Sequence, residues 1–364
     1  MPSGHSSGRS IRAGVDNVEI DSPGAQEGQR ILELVSCVWA FSALSAALES
    51  GLLEGLDTPQ TGAQISARTG IADELIKAVL EVLSALGLVT GGADGYACTP
   101  GMVGYLSRRH PDVVRADLRA SRLLAGELTA LLRPGHCAPP GWHYSDPELL
   151  QAQGVRSTES VAVWASRLFP TLAGLSEALA APTARFLDVG TGVGRLAIAM
   201  CHQFPALHIV GLDLFKPALD LARRNVARAA LSSRIDLRLQ GVQELSEDSC
   251  YDLAWVPVMF LTPDVAAQGL RRVHRALRPG GWVVLGSLAS EGQGLHPAVL
   301  RLVGLLFGGG AWPANQLTKQ LGAAGYDHVR VLPAIPDVPI RMIVGRRPVD
   351  RSPAGPADAA TVKP

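Results

Sequence analysis

Five cysteines, Cys37, Cys98, Cys137, Cys201 and Cys250, lie scattered along the chain with no C-x-x-C pair. That excludes a disulfide framework and a thiolate zinc site, and it suits a reducing cytoplasm. Runs of one charge are missing too: 33 basic residues meet 33 acidic ones, for a formal net charge of zero. A nucleic-acid backbone needs clustered Lys and Arg, so no nucleic-acid partner is expected. The histidines lack ligand spacing and no carboxylate cluster accompanies them, so no metal is expected. Residues 1–28 are polar, rich in Ser and Gly, and hold no signal-peptide-like apolar stretch. They read as a disordered tail, as does the Pro/Ala-rich segment 348–364. One segment, Ile31 to Leu48, has the length of a membrane span and a single charge, Glu33. Ser36, Ser42, Ser45 and several alanines dilute it and no basic flank follows. A buried or dimer-interface helix is the better account, and no membrane partner is expected.

What is present is a globular composition. Hydrophobic residues make up 47% and charged ones 18% of 364 residues, enough for two domains with cores of their own. The most informative run is Phe186 to Gly194, FLDVGTGVG, followed by the strand IVGLD ending at Asp213. An apolar strand runs into a glycine turn and a helix, and a second strand ends in a lone carboxylate. Glycines let backbone pass close to a ligand that a Cβ would repel, and the carboxylate stands where a ribose offers its hydroxyls.

The glycine spacing narrows the nucleotide. A dinucleotide fingerprint needs G-x-G-x-x-G; counted from Gly190, the third slot is Arg195, and the glycine falls one residue earlier, at Gly194. A pyrophosphate wants a helix N-terminus kept open by small residues. A nucleoside without phosphates has no such need.

Alternating strands and helices from residue 184 onward predict a parallel sheet. Its strands are placed at Arg185–Val189, His208–Asp213, Ile235–Leu239, Asp252–Val256 and Trp282–Leu288. The runs 329–332 and 340–344 leave no room for a crossover helix and must pair antiparallel. Upstream, residues 60–107 read as a winged helix: two short helices, the second with Leu75, Val79, Val82 and Leu86 at helical spacing, then a hairpin around Gly91–Gly95. Its recognition-helix position shows Asp73, Glu74, Lys77 and Glu81, a net negative face that phosphates repel. Dimerisation suits it better than DNA.

FLDVGTGVG, GLDL and ALRPGG before an apolar strand resemble, in that order, the motifs of class I S-adenosylmethionine-dependent methyltransferases. The N-terminal third resembles the dimerisation domain of their small-molecule O-methyltransferase branch. The resemblance spans roughly residues 30–346. It implies an α/β fold: a Rossmann-like seven-stranded sheet of five parallel strands plus an antiparallel C-terminal hairpin, behind an N-terminal helical winged-helix domain. The implied organisation is a winged-helix domain at 29–114, a helical linker and pocket cover at 115–180, and an S-adenosylmethionine-binding domain at 181–347. In that family the Ile31–Leu48 helix contributes to an intertwined homodimer.

Carried over residue by residue, Asp188, Gly190, Thr191, Gly192 and Gly194 form the turn that receives the methionine end of S-adenosylmethionine. Asp213 takes the ribose and Leu214 packs on the adenine. Gly241 and Val242 follow the third strand. There the family places an acid on the adenine amino group; Val242 occupies that place, leaving Gln243, Glu244 or backbone groups to replace it. A second departure concerns catalysis. Hydroxyl-methylating relatives carry a histidine base in a His-Asp-Trp-like segment after the fourth strand, where this chain reads Val256-Pro257-Val258-Met259-Phe260-Leu261. Other sources of a base are His136, His143, Tyr144 and His296, with Gly141–Tyr144 read as a pocket-lining loop and Phe260 as pocket wall.

The expected function is methyl transfer from S-adenosylmethionine to a small apolar or aromatic metabolite in secondary metabolism, with oxygen favoured. Carbon or nitrogen transfer without a histidine base, a non-methylating rearrangement or decarboxylation, and a winged-helix ligand-sensing regulator are the alternatives.

Overall fold

The computed structural model describes residues 23–92, 95–135, 140–310, 312–335 and 338–349. Most of the N-terminal tail, Ala93 and Asp94 of the hairpin, His136 and most of the C-terminal tail lie outside the described residues. The chain divides into two compact units after Tyr105.

The first unit contains α1 (Pro23–Glu49), α2 (Gly62–Thr69), α3 (Asp73–Ala85), the antiparallel pair β1 (Val89–Gly92) and β2 (Gly95–Cys98), and the start of α4 (Pro100–Arg108). Thr61 opens α2 with a reciprocal capping box to Gln64, and Gly70 closes it at φ +73°. Leu56, Ile65, Ile76, Leu80 and Leu83 are fully buried. The core side of α3 is therefore Ile76–Leu80–Leu83; of the expected stripe Leu75, Val79, Val82 and Leu86, Val79 is half-buried and the other three are exposed. Both stripes have helical spacing, so periodicity alone does not choose between them. Along α1, Ile31, Leu32, Leu34, Val35, Val38 and Trp39 are bare, Trp39 at 72%. By length and composition Gly24–Glu49 could cross a membrane.

The second unit opens with α5 (Pro111–Leu131) and α6 (Pro147–Val163), then a π-helical turn (Trp164–Leu168) and α7 (Leu175–Ala180). There follow β3 (Arg185–Val189), α8 (Arg195–Gln203), β4 (His208–Asp213), α9 (Lys216–Arg228), β5 (Ile235–Leu239) and β6 (Tyr251–Pro257). The chain continues with α10 (Pro263–Ala276), β7 (Leu277–Leu288), α11 (Leu295–Leu306), α12 (Ala314–Ala323), β8 (Asp327–Val331) and β9 (Ile340–Arg346). Strand order is β5-β4-β3-β6-β7-β9-β8; the first five are parallel and β9 is antiparallel to both its neighbours. The seven-stranded sheet is the one expected. Strands β6, β8 and β9 shift by one or two residues at their ends, and the largest change is in β7, which begins at Leu277, pairs Tyr251 and runs through Pro279–Gly281, with a register shift before Leu253.

Two-residue alternation divides the apolar side chains between faces. Phe186, Leu253, Trp282 and Val344 pack with Trp164, Phe169 and Leu196 on one face. Leu187, Ala254, Val283 and Ile343 pack with Leu270, Val273 and Leu321 on the other. With β3 and β4 held between these two layers, the loops at their carboxyl ends have a fixed base. In open parallel sheets the ligand crevice forms there.

Candidate functional site

The turn after β3 holds Gly190 at φ +65° and Gly192 at φ +57°, in the left-handed region that glycine enters without strain. Two hydrogen bonds tie it to the end of β4, and a third fixes the Asp213 carboxylate there. Thr191 N–H donates to Leu212 O at 2.9 Å, Gly192 N–H to Asp213 Oδ2 at 2.8 Å, and Phe215 N–H to Asp213 Oδ1 at 2.7 Å. Each carboxylate oxygen of Asp213 thus accepts one backbone donor and keeps a lone pair for another. Enclosure raises the Asp213 pKa above the ordinary carboxylate range, although the Phe215, Gly192 and Leu214 backbone groups oppose it.

Beneath the turn, Asp188 is 1% exposed and accepts the Thr191 hydroxyl at 2.7 Å. Burial pushes its pKa up to about 7; the Thr191 hydrogen bond works against this and the nearby Asp213 charge adds to it.

A cavity of about 1060 Å³ opens above these residues. That exceeds the ~300–1,000 Å³ of a typical single-ligand pocket, leaving room for a second small molecule. One half is lined by Asp188 to Val193, Leu212 to Phe215, and Gln240 to Gln243. Leu214 is 61% exposed there, an apolar side chain with nothing over it. The other half is apolar: Trp142, Met259, Phe260, Leu288 and Phe307. Trp142 meets Phe260 edge-on at 5.7 Å between centroids, and Phe260 lies 4.7 Å from Phe307. Helix α6 adds a polar stripe, Gln153, Arg156, Ser157 and Ser160, at helical spacing. Asp117 accepts from Arg109 at 2.8 Å and from Arg156 at 2.5 Å, and all three line the cavity. A second, smaller hollow of about 360 Å³, around Arg185, His208 and Asp236, lies at the amino ends of the strands, away from the glycine turn.

Among the sequence-selected residues, Asp188, Gly190, Thr191, Gly192, Asp213, Leu214, Gly241, Val242 and Phe260 all line the large cavity. Gly194 does not. It caps α8 at φ +75°, with Ala222 and Val226 against it. Val242 is 3% exposed, its methyls set against Gly269 of α10. The 141–144 loop reaches the cavity through Gly141 and Trp142, whereas His143 and Tyr144 face elsewhere. Tyr144 is buried against Leu149 and Phe307, and His143 stacks on it at 4.2 Å. His296 is exposed on α11. The α6 stripe and the Arg109–Asp117–Arg156 cluster were not singled out from sequence. Their signal, polar residues at i, i+3, i+4 and i+7 of a helix, is also that of any solvated face.

Comparison with known proteins agrees with this geometry. Residues 186–281 match the family model described as a methyltransferase domain. Demethylmenaquinone methyltransferase of Deinococcus radiodurans is 37% identical over 134 residues, 36% of this chain and 54% of that protein. The chain therefore spans about half the length of that relative. Demethylspheroidene O-methyltransferase of Cereibacter sphaeroides is 24% identical over 358 residues, covering 90% of this chain and 89% of the relative. Among solved structures, PigF with SAH superposes with a TM-score of 0.61 at 21% identity, covering 87% of this chain and 99% of that one, a likeness of fold. Residues 186–281 are thus a methyltransferase domain, and the sheet that carries them is that of the class I S-adenosylmethionine-dependent methyltransferases.

Proposed function

We propose that this chain transfers a methyl group from S-adenosylmethionine to an oxygen of a small apolar or aromatic metabolite, as a cytoplasmic homodimer in secondary metabolism. The observation that carries it is the Asp213 carboxylate, fixed by Gly192 and Phe215 beside the glycine turn and facing a cavity whose far wall is aromatic.

The lining fits the donor. The turn is bare of Cβ atoms at Gly190 and Gly192, Asp213 retains acceptor capacity for two ribose hydroxyls, and Leu214 offers an uncovered face to a purine. Gly154 of α6 abuts Val193 of the turn, since a Cβ there would stand 2.2 Å from Val193 Cγ2. Arg156 of the same helix lines the cavity and would hold a carboxylate at the methionine end, with Asp117, itself paired to Arg109, fixing its fork. The bound donor supplies an electrophilic methyl on a sulfonium.

The chain's own part is positioning. Trp142, Phe260 and Phe307 would hold an apolar acceptor and exclude water, and bringing its oxygen within about 3 to 3.5 Å of the methyl supplies several kcal/mol of the barrier. Met259, Phe260 and Leu261 bring no acid or base to that wall. A hydroxyl of pKa ~10 or above would draw on a base elsewhere in the lining, where His110 stands. Oxygen as the methylated atom is supported by the full-length likeness to an O-methyltransferase.

The first unit supports the dimer. Its helix, helix and hairpin order fits a winged-helix dimerisation domain, and the bare Ile31–Trp39 face of α1 is an uncovered apolar surface.

The test combines calorimetric titration of S-adenosylhomocysteine with transfer of label from S-adenosyl-[methyl-³H]methionine to apolar hydroxylated polyenes and aromatics. Micromolar binding and label in the organic extract are expected. Absence of both overturns the proposal.

A further inference from the structure

Val242 fills the place of the usual adenine-binding acid, but its side chain is committed to the core against Gly269. Glu244 is committed as well, because its Oε2 accepts the Gly241 N–H at 3.4 Å, back toward the start of its own turn. Gln243 is different. Its carboxamide lies directly over Gly241, where a Cβ would come 2.4 Å from Nε2, and the residue lines the donor half of the cavity. Its Oε1 is buried and makes no hydrogen bond. A buried carbonyl oxygen without a donor is uncommon and costs free energy until one arrives.

We infer that Gln243 is the adenine-reading side chain of this methyltransferase, and that its carboxamide also accepts a 6-oxo purine. The inference rests on the donor reading above. Toward adenine, Oε1 accepts from the N6 amino group while the amide N–H donates to N1. A 6-oxo purine inverts both groups: the ring oxygen accepts and N1–H donates. A carboxylate acceptor is penalised by that inversion, since two lone pairs meet. A carboxamide answers it by turning half a revolution about its last torsion, which is soft and nearly two-fold. Replacing the family acid with an amide therefore removes the means of rejecting the deaminated nucleoside while keeping two hydrogen bonds to either base.

The test is calorimetric titration of full-length protein with S-adenosylhomocysteine and S-inosylhomocysteine, each on wild type, Gln243→Glu and Gln243→Leu. In the wild type the two dissociation constants should differ by less than about tenfold. Gln243→Glu should widen the gap beyond about tenfold in favour of the adenosyl ligand. Gln243→Leu should weaken both by about fivefold or more, the loss of a hydrogen bond that leaves a buried partner unsatisfied. A wild-type gap above about tenfold, or unchanged adenosyl affinity in Gln243→Leu, overturns the inference while the donor reading stands. If wild type binds neither nucleoside, the donor reading fails and this inference goes with it.

Discussion

Asp213 Oδ2 accepts the Gly192 N–H at 2.8 Å, so the carboxylate that ends β4 also sets the shape of the turn that ends β3. Its other oxygen accepts from Phe215. An amide cannot serve both, because one of its ends is a donor and would face a backbone N–H. Asp213→Asn should therefore weaken S-adenosylhomocysteine binding by about tenfold or more, a charge-assisted bond lost and a turn disturbed. Calorimetry on both proteins reads the change. Equal affinity would remove Asp213 from the site.

Gly154 makes a second contact with the turn, since a Cβ there would meet Val193 Cγ2 at 2.2 Å and Arg195 Cγ at 3.1 Å. A branched side chain must push α6 away from α8. Gly154→Val should cost roughly 1–3 kcal/mol of stability, the range for overpacking a close contact. It should also lower donor affinity, because the α6 stripe moves with the helix. Thermal melting and titration measure the two effects. A melting temperature equal to wild type would mean that α6 has room to spare.

The parallel strands, the terminal hairpin and the glycine turn with a carboxylate beside it were legible in the sequence, because each rests on a local signal. Apolar runs give the strands, glycines at fixed spacing give the turn, and a lone Asp213 at a strand end gives the carboxylate. The apolar half of the cavity was less legible. Its walls come from α6, from Met259–Phe260 and from Phe307, segments brought together only by the fold. The loop 141–144 contributes Gly141 and Trp142 to the cavity lining, whereas the chemically attractive His143 and Tyr144 lie outside it. Residue chemistry selected those two; loop direction, set by Gly141 packed against Gly308, decided otherwise. The same limit explains α3. Two apolar stripes run along it, and only tertiary contact shows that Ile76, Leu80 and Leu83 are the buried ones.

Trp39, 72% exposed amid Leu34, Val35 and Val38, belongs to the apolar face that the dimer proposal would cover. A charge at its centre opposes burial there and should leave the fold of an exposed site intact. Trp39→Asp should shift the protein from dimer to monomer in sedimentation velocity, with donor affinity retained. Persistence of the dimer would place the interface on another surface.

Phe260 separates acceptor from donor effects. It lines the cavity, packs on Phe307 at 4.7 Å and touches none of the hydrogen bonds that hold Asp213. Phe260→Ala removes an aromatic wall worth about 1 kcal/mol or more to an apolar ligand. The KM of an acceptor found in the label-transfer screen should rise about fivefold or more, with the S-adenosylhomocysteine dissociation constant unchanged. A loss confined to donor affinity would assign Phe260 to the other half of the cavity.

Asp188 links the site to pH. Its carboxyl titrates near 7 when folded, against 3.8 in the reference state, because burial disfavours the charged form. Between these values the folded protein holds the proton and the unfolded chain has released it. Stability from this group is then complete below about pH 3.8 and is lost as pH rises toward 7. Asp188→Asn cannot ionise, yet it can still accept the Thr191 hydroxyl through its amide oxygen. Titrations that do not feel Asp188 are common to both proteins and cancel in the difference between them, leaving Asp188 and its coupling to Asp213. Without ligand, the melting temperature of wild type should therefore fall relative to Asp188→Asn between about pH 4 and 7 and level off above, by several degrees if the penalty is on the order of a few kcal/mol. Parallel melting curves across that range would show that Asp188 ionises in place without cost. The turn would then stand over a fixed negative charge rather than a proton held by burial.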